Sequence, residues 1–198
     1  NISTDDVAVA QELGYVIKLV GDVREVESGI SAEVSPTFLP KNHPLASVND
    51  VMNAVFVESI GIGESMYYGP GAGQKPTATS VLADIIRIAR RLSDGNVGKP
   101  FNEFHRDLPL ANPADVKSNY YFALDTPDEK GKILHLSEIF NSEDISFEQV
   151  LQQKANGTTA RIVVITHAMS KTQLKAVTEK LEAAEDFTVV NTLKVLSN

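Results

Sequence analysis

One run in the first half of the chain concentrates its unusual chemistry: Tyr68-Gly69-Pro70-Gly71-Ala72-Gly73-Gln74-Lys75-Pro76-Thr77, a glycine-rich turn placed by its flanks between a strand and a helix. Residues without Cβ let a backbone approach a ligand closely, and the N–H groups at a helix start suit a polar or anionic group. Two phosphate motifs are approached and neither is met. A Walker A loop requires Gly where Gln74 stands and Ser or Thr where Pro76 stands. A dinucleotide fingerprint requires G-x-G-x-x-G, whereas Gly69, Gly71 and Gly73 recur at every second position and Gln74 takes the place of the last glycine. The helix that follows also leads into a polar segment and not into a parallel strand. On residues alone, a backbone cradle for a ligand and a tight packing turn both remain open.

The rest of the chemical inventory is sparse. His43, His105, His135 and His167 show no i, i+4 pairing and no acidic residue at metal-ligand spacing, so no metal site is expected. His43 sits in Lys41-Asn42-His43-Pro44, an exposed or interface loop, with no visible partner for acid–base work, and a structural contact is the preferred reading. His167 follows an apolar strand and is expected in a turn. The chain has no cysteine, which excludes disulfides, zinc ribbons, iron–sulfur clusters and thiol chemistry and makes a reducing, cytoplasmic setting the default.

Positioning these residues falls to two segments separated by 94–118, a stretch with Gly95, Gly98, Pro100, Pro109 and Pro113 and no sustained apolar periodicity, read as a linker. In the first segment, Ser3-Thr4-Asp5-Asp6 has the form of a capping box, followed by Val7, Ala10 and Leu13 before a stop at Gly14. Residues 15–20 are almost wholly apolar, as in a strand covered on both faces. Ile30, Ala32 and Val34 alternate with Ser31, Glu33 and Ser35, as in a half-exposed strand. Residues 51–58 and 65–68 are further strand candidates, with Gly61 and Gly63 between them. The helix over about 76–92 carries Val81, Leu82, Ile85, Ile86, Ile88 and Leu92 on more than a narrow stripe, so it calls for cover from a further domain or a partner.

Beyond the linker, Tyr120, Phe122 and Leu124 alternate with Tyr121, Ala123 and Asp125 in a strand, and Gly131 sits in a turn before a helix with Ile133, Leu136, Ile139 and Phe140. Residues 145–152 read as a second strand, and Asn156-Gly157 as a turn. Within 160–166, four consecutive β-branched residues at 162–165 mark a central buried strand. Ser170 and Gln173 form another capping box, for a helix with Leu174, Val177 and Leu181 on one face, and 187–190 close the series. This βαββαβ order is the ferredoxin-like split βαβ arrangement. The fold class is therefore α+β, a mixed-sheet segment followed by a ferredoxin-like unit.

Composition bounds the partners. Hydrophobic residues make up 42% of the 198 and charged residues 22%, enough for a real core. Eighteen Lys and Arg against 26 Asp and Glu leave a net charge of -8, which repels a phosphate backbone and argues against nucleic acid. No apolar run has the length of a membrane span, so no membrane partner is expected. The chain starts at Asn1 without an initiator Met, so a processed product or a piece of a longer protein is expected.

With these residues assembled, the chain resembles the C-terminal part of a homoserine dehydrogenase of the long, regulated type. The likeness rests on Leu13-Gly14-Tyr15-Val16-Ile17-Lys18-Leu19-Val20-Gly21, on Val34-Ser35-Pro36-Thr37-Phe38-Leu39 with His43-Pro44-Leu45-Ala46 and Asn53-Ala54-Val55, and on Tyr68-Gly69-Pro70-Gly71-Ala72-Gly73 with Pro76-Thr77-Ala78. The downstream unit resembles an ACT domain, with Asp128 and Gly131 at its acidic and turn-glycine positions and Lys130 where many ACT domains have proline. The resemblance implies three parts: 1–93 from the catalytic and dimerisation domain, 94–118 as linker, and 119–198 as the ACT regulatory domain. It implies that the whole enzyme reduces aspartate 4-semialdehyde to homoserine with NADP or NAD as cofactor, in threonine and methionine biosynthesis. It places Gly71, Ala72 and Gly73 near the cofactor, and an amino-acid effector, threonine first, at Asp128 and Gly131. The Rossmann domain and the catalytic residues would lie upstream, so no catalytic residue is carried over and this polypeptide alone is expected to be inactive. A homodimer or higher homo-oligomer is expected. The alternative is a free-standing dimeric amino-acid sensor without catalysis.

Overall fold

The capping box starts a helix where it should. In α1 (Thr4–Glu12), the Ser3 hydroxyl accepts the Asp6 N–H at 3.1 Å, while the Asp6 carboxylate accepts the Ser3 N–H at 2.9 Å. The computed structural model describes residues 2–96, 106–154 and 158–196. The Asn156-Gly157 turn, His105 and the middle of the 94–118 segment lie outside the described residues. In α1 the sheet-facing residues are Val9 and Ala10, both buried, whereas Val7 is exposed, so the face is rotated from the one expected.

After Gly14 the chain forms a long antiparallel hairpin, β1 (Tyr15–Val26) with β2 (Gly29–Pro40), registered from Tyr15 opposite Pro40 to Val26 opposite Gly29. Residues 15–20 are not covered on both faces, since Leu19 is 74% exposed. The alternation in β2 also runs opposite to expectation: Val34 is 72% exposed and Glu33 is turned inward. Charge pairing explains the reversal, because Lys171 and Lys194 wait on the inner face and would be costly to bury alone.

The main sheet is built around β5 (Lys117–Pro127), which pairs antiparallel with β7 (Thr159–Thr166) on one side and β9 (Thr188–Val195) on the other; β6 (Phe147–Lys154) lies beyond β7. The order β9-β5-β7-β6 is that of the ferredoxin-like arrangement. β2 adds to the free edge of β9 in parallel, through Thr37 opposite Lys194 and Phe38 opposite Val195, and this makes the sheet mixed. A two-residue strand, β8 (Met169–Ser170), pairs with the start of β5.

Helices cover both faces. α3 (Lys132–Asn141) contributes Leu136, Ile139 and Phe140, and α4 (Lys171–Ala183) contributes Val177 and Leu181, to a core with Phe122, Leu124, Ile162 and Val164. On the opposite face Val9 and Ala10 of α1 pack with Phe38, Tyr121, Val163 and Ile165. Phe38 stacks on Tyr121 at 4.4 Å between ring centroids, and Phe122 meets Phe140 edge-on at 5.2 Å. Because both faces are covered, 118–124 of β5 is buried at every position, not at alternate ones.

Packing thus groups the chain differently from the expected division at 1–93, 94–118 and 119–198. One compact unit comprises Asn1–Lys41 with Leu108–Asn198, and the other Asn42–Asp107. The physical reason lies in the hairpin: its inner edge supplies the backbone partners that β9 would otherwise lack. The end of the linker is pinned as well. The Ile30 N–H donates to the Pro109 carbonyl at 2.9 Å and the Ala111 N–H to the Ile30 carbonyl at 2.9 Å. Gly29 is at φ +143°, and a Cβ there would stand 2.1 Å from the Pro109 carbonyl oxygen, so only glycine fits.

The 42–107 unit holds a 3-10 turn (Pro44–Ser47), an antiparallel hairpin of β3 (Met52–Ser59) and β4 (Gly63–Pro70), and α2 (Gln74–Ser93). None of its described residues is fully buried, and Ile85, Ile86, Ile88 and Leu92 of α2 are all more than half exposed.

Candidate functional site

The glycine turn lies where strand β4 hands over to helix α2, as its residues predict. Gly73 is the N-cap of α2, at φ +128°, and supplies no side-chain cap to the first turn. The N–H groups of Gln74 and Lys75 therefore start a 20-residue helix from an open turn, a fitting end for a polar or anionic group. Gly71 differs. Its N–H donates to the Val51 carbonyl at 3.2 Å, and a Cβ on it would stand 1.9 Å from the Asn53 amide nitrogen. The space beside Gly71 is thus filled by Asn53, and its bare backbone serves a packed turn. Of Gly71, Ala72 and Gly73, the last two keep a surface for a ligand: Ala72 is exposed, and nothing except Pro76 approaches the side of Gly73.

His43 caps the 3-10 turn: its Nδ1 accepts the Leu45 N–H at 3.2 Å, and its ring lies 4.9 Å from that of Phe56. With Nδ1 an acceptor the ring is neutral, and burial pushes its pKa down against the opposing pull of Glu64. The local geometry is that of a structural contact.

Asp128 and Gly131 lie in the other unit, in the exposed turn between β5 and α3. Gly131 is the N-cap of α3 in the left-handed region, φ +90°, with open space where a Cβ would be. The Asp128 N–H donates to the Thr158 carbonyl at 2.9 Å, which holds the turn against the start of β7. A charge cluster follows directly: Lys132 Nζ is 3.4 Å from Glu129 and 3.3 Å from Asp186, and His135 Nδ1 lies 3.0 Å from the same Asp186 oxygen. Burial works to raise the Asp186 carboxyl, but the bonds from His135 and Lys132 outweigh it and hold the pKa below the usual value. The turn brings together an exposed carboxylate, an uncapped helix start and a cation, Lys132, that the sequence reading overlooked.

Two further polar groups were missed. The Asp6 carboxylate accepts from Tyr121 at 3.0 Å and from Asn191 at 2.9 Å, besides Ser3. Burial raises its pKa less than the Ser3, Asn191 and Tyr121 bonds lower it. The second is an ion network on the inner face of the hairpin. Lys194, its side chain 5% exposed, contacts Asp22 and Glu33; Lys171 Nζ reaches Glu33 at 2.6 Å; Arg24 Nε reaches Asp22 at 2.9 Å. The only sequence signal was Asp22, Arg24 and Glu33 at alternating positions opposite apolar ones. The lysines that pair with Asp22 and Glu33 stand more than 130 residues away. Among the described residues no cluster of three or more His, Cys, Asp or Glu could hold a metal ion, and no helix is long and apolar enough to cross a membrane.

Residues 1–86 match the family model for homoserine dehydrogenase. The chain is 60% identical over 197 residues to homoserine dehydrogenase of Lactococcus lactis, covering 100% of this chain and 46% of that protein. It is 36% identical over 198 residues to the enzyme of Corynebacterium glutamicum, covering 98% and 44%. Among solved structures, a homoserine dehydrogenase from Thiobacillus denitrificans superposes with a TM-score of 0.89 at 30% identity, over 99% of this chain and 46% of that one. A Staphylococcus aureus homoserine dehydrogenase shares the fold at a TM-score of 0.65 and 24% identity. The chain spans a little under half the length of the relatives it matches. From end to end this chain is similar to homoserine dehydrogenases, over a little under half of their length.

Proposed function

We propose that this chain works as the C-terminal part of a homoserine dehydrogenase, an oxidoreductase that reduces aspartate 4-semialdehyde to homoserine with NADP or NAD in threonine and methionine biosynthesis. The observation that carries the reading is the 60% identity with the Lactococcus lactis enzyme, which runs through the ferredoxin-like unit as well as 1–93. In this reading 1–93 contributes to the substrate-binding and dimerisation part, 94–118 links, and 119–198 is an ACT regulatory domain. The absence of cysteine suits a cytoplasmic enzyme.

NAD(P)H would supply the hydride. The fit of this chain to it is partial: Ala72 and Gly73 offer an accessible backbone at an uncapped helix start, whereas the place beside Gly71 is taken by Asn53. The exposed apolar faces support a homodimer or higher homo-oligomer, among them Val55 and Tyr67 on the β3–β4 hairpin. An amino-acid effector, threonine first, is assigned to the Asp128–Gly131 turn. There its carboxylate would meet the α3 N-terminus and Lys132, and its ammonium Asp128.

The test joins this chain to the remaining half of the Lactococcus lactis enzyme and follows NADPH oxidation with aspartate semialdehyde. The chimera is expected to turn over and the chain alone to be inert; turnover by the chain alone, or a folded but dead chimera, overturns the reading. In the active chimera, Ala72→Phe adds bulk without backbone strain and should raise cofactor KM or lower kcat. Gly73→Val is not a clean probe because φ +128° strains any side chain. For the effector, Gly131→Asn, which tolerates the left-handed region, together with Asp128→Asn should abolish a threonine-induced rise in melting temperature. Threonine at 100 times its Kd corresponds to about 2.7 kcal/mol.

A further inference from the structure

We propose that a recess on the α4 side of the sheet, where β2 and β9 meet the start of α4, is a second small-molecule site, for a carboxylate of amino-acid size. The recess has a volume of about 300 Å³ and lies wholly within the unit formed by 1–41 and 108–198. That is the lower end of the range for small-ligand pockets, room for a metabolite and too little for a nucleotide. Pro36, Tyr120 and Leu174 give it apolar walls, while Glu33, Ser35, Lys171, Thr192 and Lys194 give it polar ones.

Two observations say what would fill it. The first is charge. Among the described residues Arg24, Lys171 and Lys194 form ion pairs with Asp22 and Glu33, three cations with two carboxylates, so this network carries one surplus positive charge in a chain whose net charge is -8. Burying Lys194 in an unbalanced cluster is costly, and a bound monoanion would restore neutrality. The second is Thr192. Its Oγ1 is buried with no hydrogen-bond partner, a cost that native structures rarely leave uncompensated. A ligand with a carboxylate for Lys171 balances the charge, and a second polar group on it partners the Thr192 hydroxyl once that closed-over group turns toward the recess, with Ser35 as a further hydroxyl. Inorganic phosphate would overcompensate the charge at neutral pH and offers no apolar part to the walls.

The proposal does not rest on the effector reading of the Gly131 turn, and the variants separate the two. Isothermal titration of the 198-residue chain is carried out with L-threonine, L-aspartate, L-lactate and inorganic phosphate, on the wild type and on Thr192→Val, Lys171→Gln and Gly131→Asn. At least one of the three carboxylates is expected to bind with Kd of about 1 mM or tighter. Thr192→Val, which keeps the side-chain shape, should weaken that carboxylate by about tenfold while raising the melting temperature of the ligand-free chain, because it removes an orphaned hydroxyl. Lys171→Gln should weaken it as well, and Gly131→Asn should leave the Thr192-dependent binding unchanged, removing at most a separate, Thr192-independent threonine site. The proposal is overturned if no carboxylate binds, if phosphate alone binds, or if binding survives Thr192→Val and is lost in Gly131→Asn.

Discussion

The β5-centred sheet and the 42–107 unit draw on similar apolar vocabularies and reach opposite ends. Phe122, Leu124, Ile162 and Val164 are fully buried, while Ile85, Ile86 and Ile88 of α2 stay more than half exposed. Apolar content alone does not build a core. A strand is buried on both faces only when helices cover both, as α1 does from one side of β5 and α3 with α4 from the other. A two-stranded hairpin such as β3–β4 has no such layers and is marginal alone. The stability of this chain is therefore expected to reside in the first region, and the apolar surface of the second to serve contacts with other protein.

The sharpest way to break this contrast is a pair of truncations. Phe122→Ala should cost about 3–5 kcal/mol in urea unfolding, whereas Ile86→Ala should stay within about 0.5 kcal/mol. Equal losses would mean that α2 is part of the cooperative core after all. A smaller effect is expected where α1 is tied to the sheet. Tyr121→Phe removes the donor to the buried Asp6 carboxylate and should cost about 1–3 kcal/mol, with faster proteolysis at α1. If stability is unchanged, Asn191 and Ser3 suffice to hold Asp6.

Next comes the pinned end of the linker. Gly29→Ala forces a Cβ against the Pro109 carbonyl and a strained φ, and should cost more than about 1 kcal/mol. The same change at Gly61, where nothing lies within reach, is the control and should be nearly silent. The smallest effect concerns acid. Burial alone would raise the Glu33 carboxyl, but its bonds to Lys171 and Lys194 hold it below the usual 4.5. Its contribution is thus complete above pH 4.5 and is lost as pH falls through the lowered folded value. Melting temperature in Glu33→Gln should fall less steeply than wild type below that pH; parallel curves would remove Glu33 from the acid response.

Much was legible in the residues because it is local. Both capping boxes, at Ser3–Asp6 and Ser170–Gln173, form as read, since each needs only neighbours three positions apart. The β-branched run at 162–165 is the buried central strand, and the glycines at 73 and 131 stand at helix starts where positive φ is required. What failed was the facing of strands. Apolar patterning points Val34 and Leu19 inward and ends the C-terminal strand at 190, whereas both side chains are exposed and that strand runs to Val195 through Asn191, Thr192 and Lys194.

In each of these cases the deciding partner is distant in sequence. Periodicity reports which residues share a face, not which face is inward. Here a buried lysine 161 positions from Glu33 turned the polar side in. The sequence by itself determined the elements, their caps, the α+β class and the family likeness, because short-range geometry and residue patterns carry them. Only the tertiary structure decided that β2 joins β9, that Asn53 occupies the side of Gly71, and that Thr192 is left without a partner beside a surplus of positive charge. Those outcomes depend on which long-range strand edge and which distant charge were available to be satisfied.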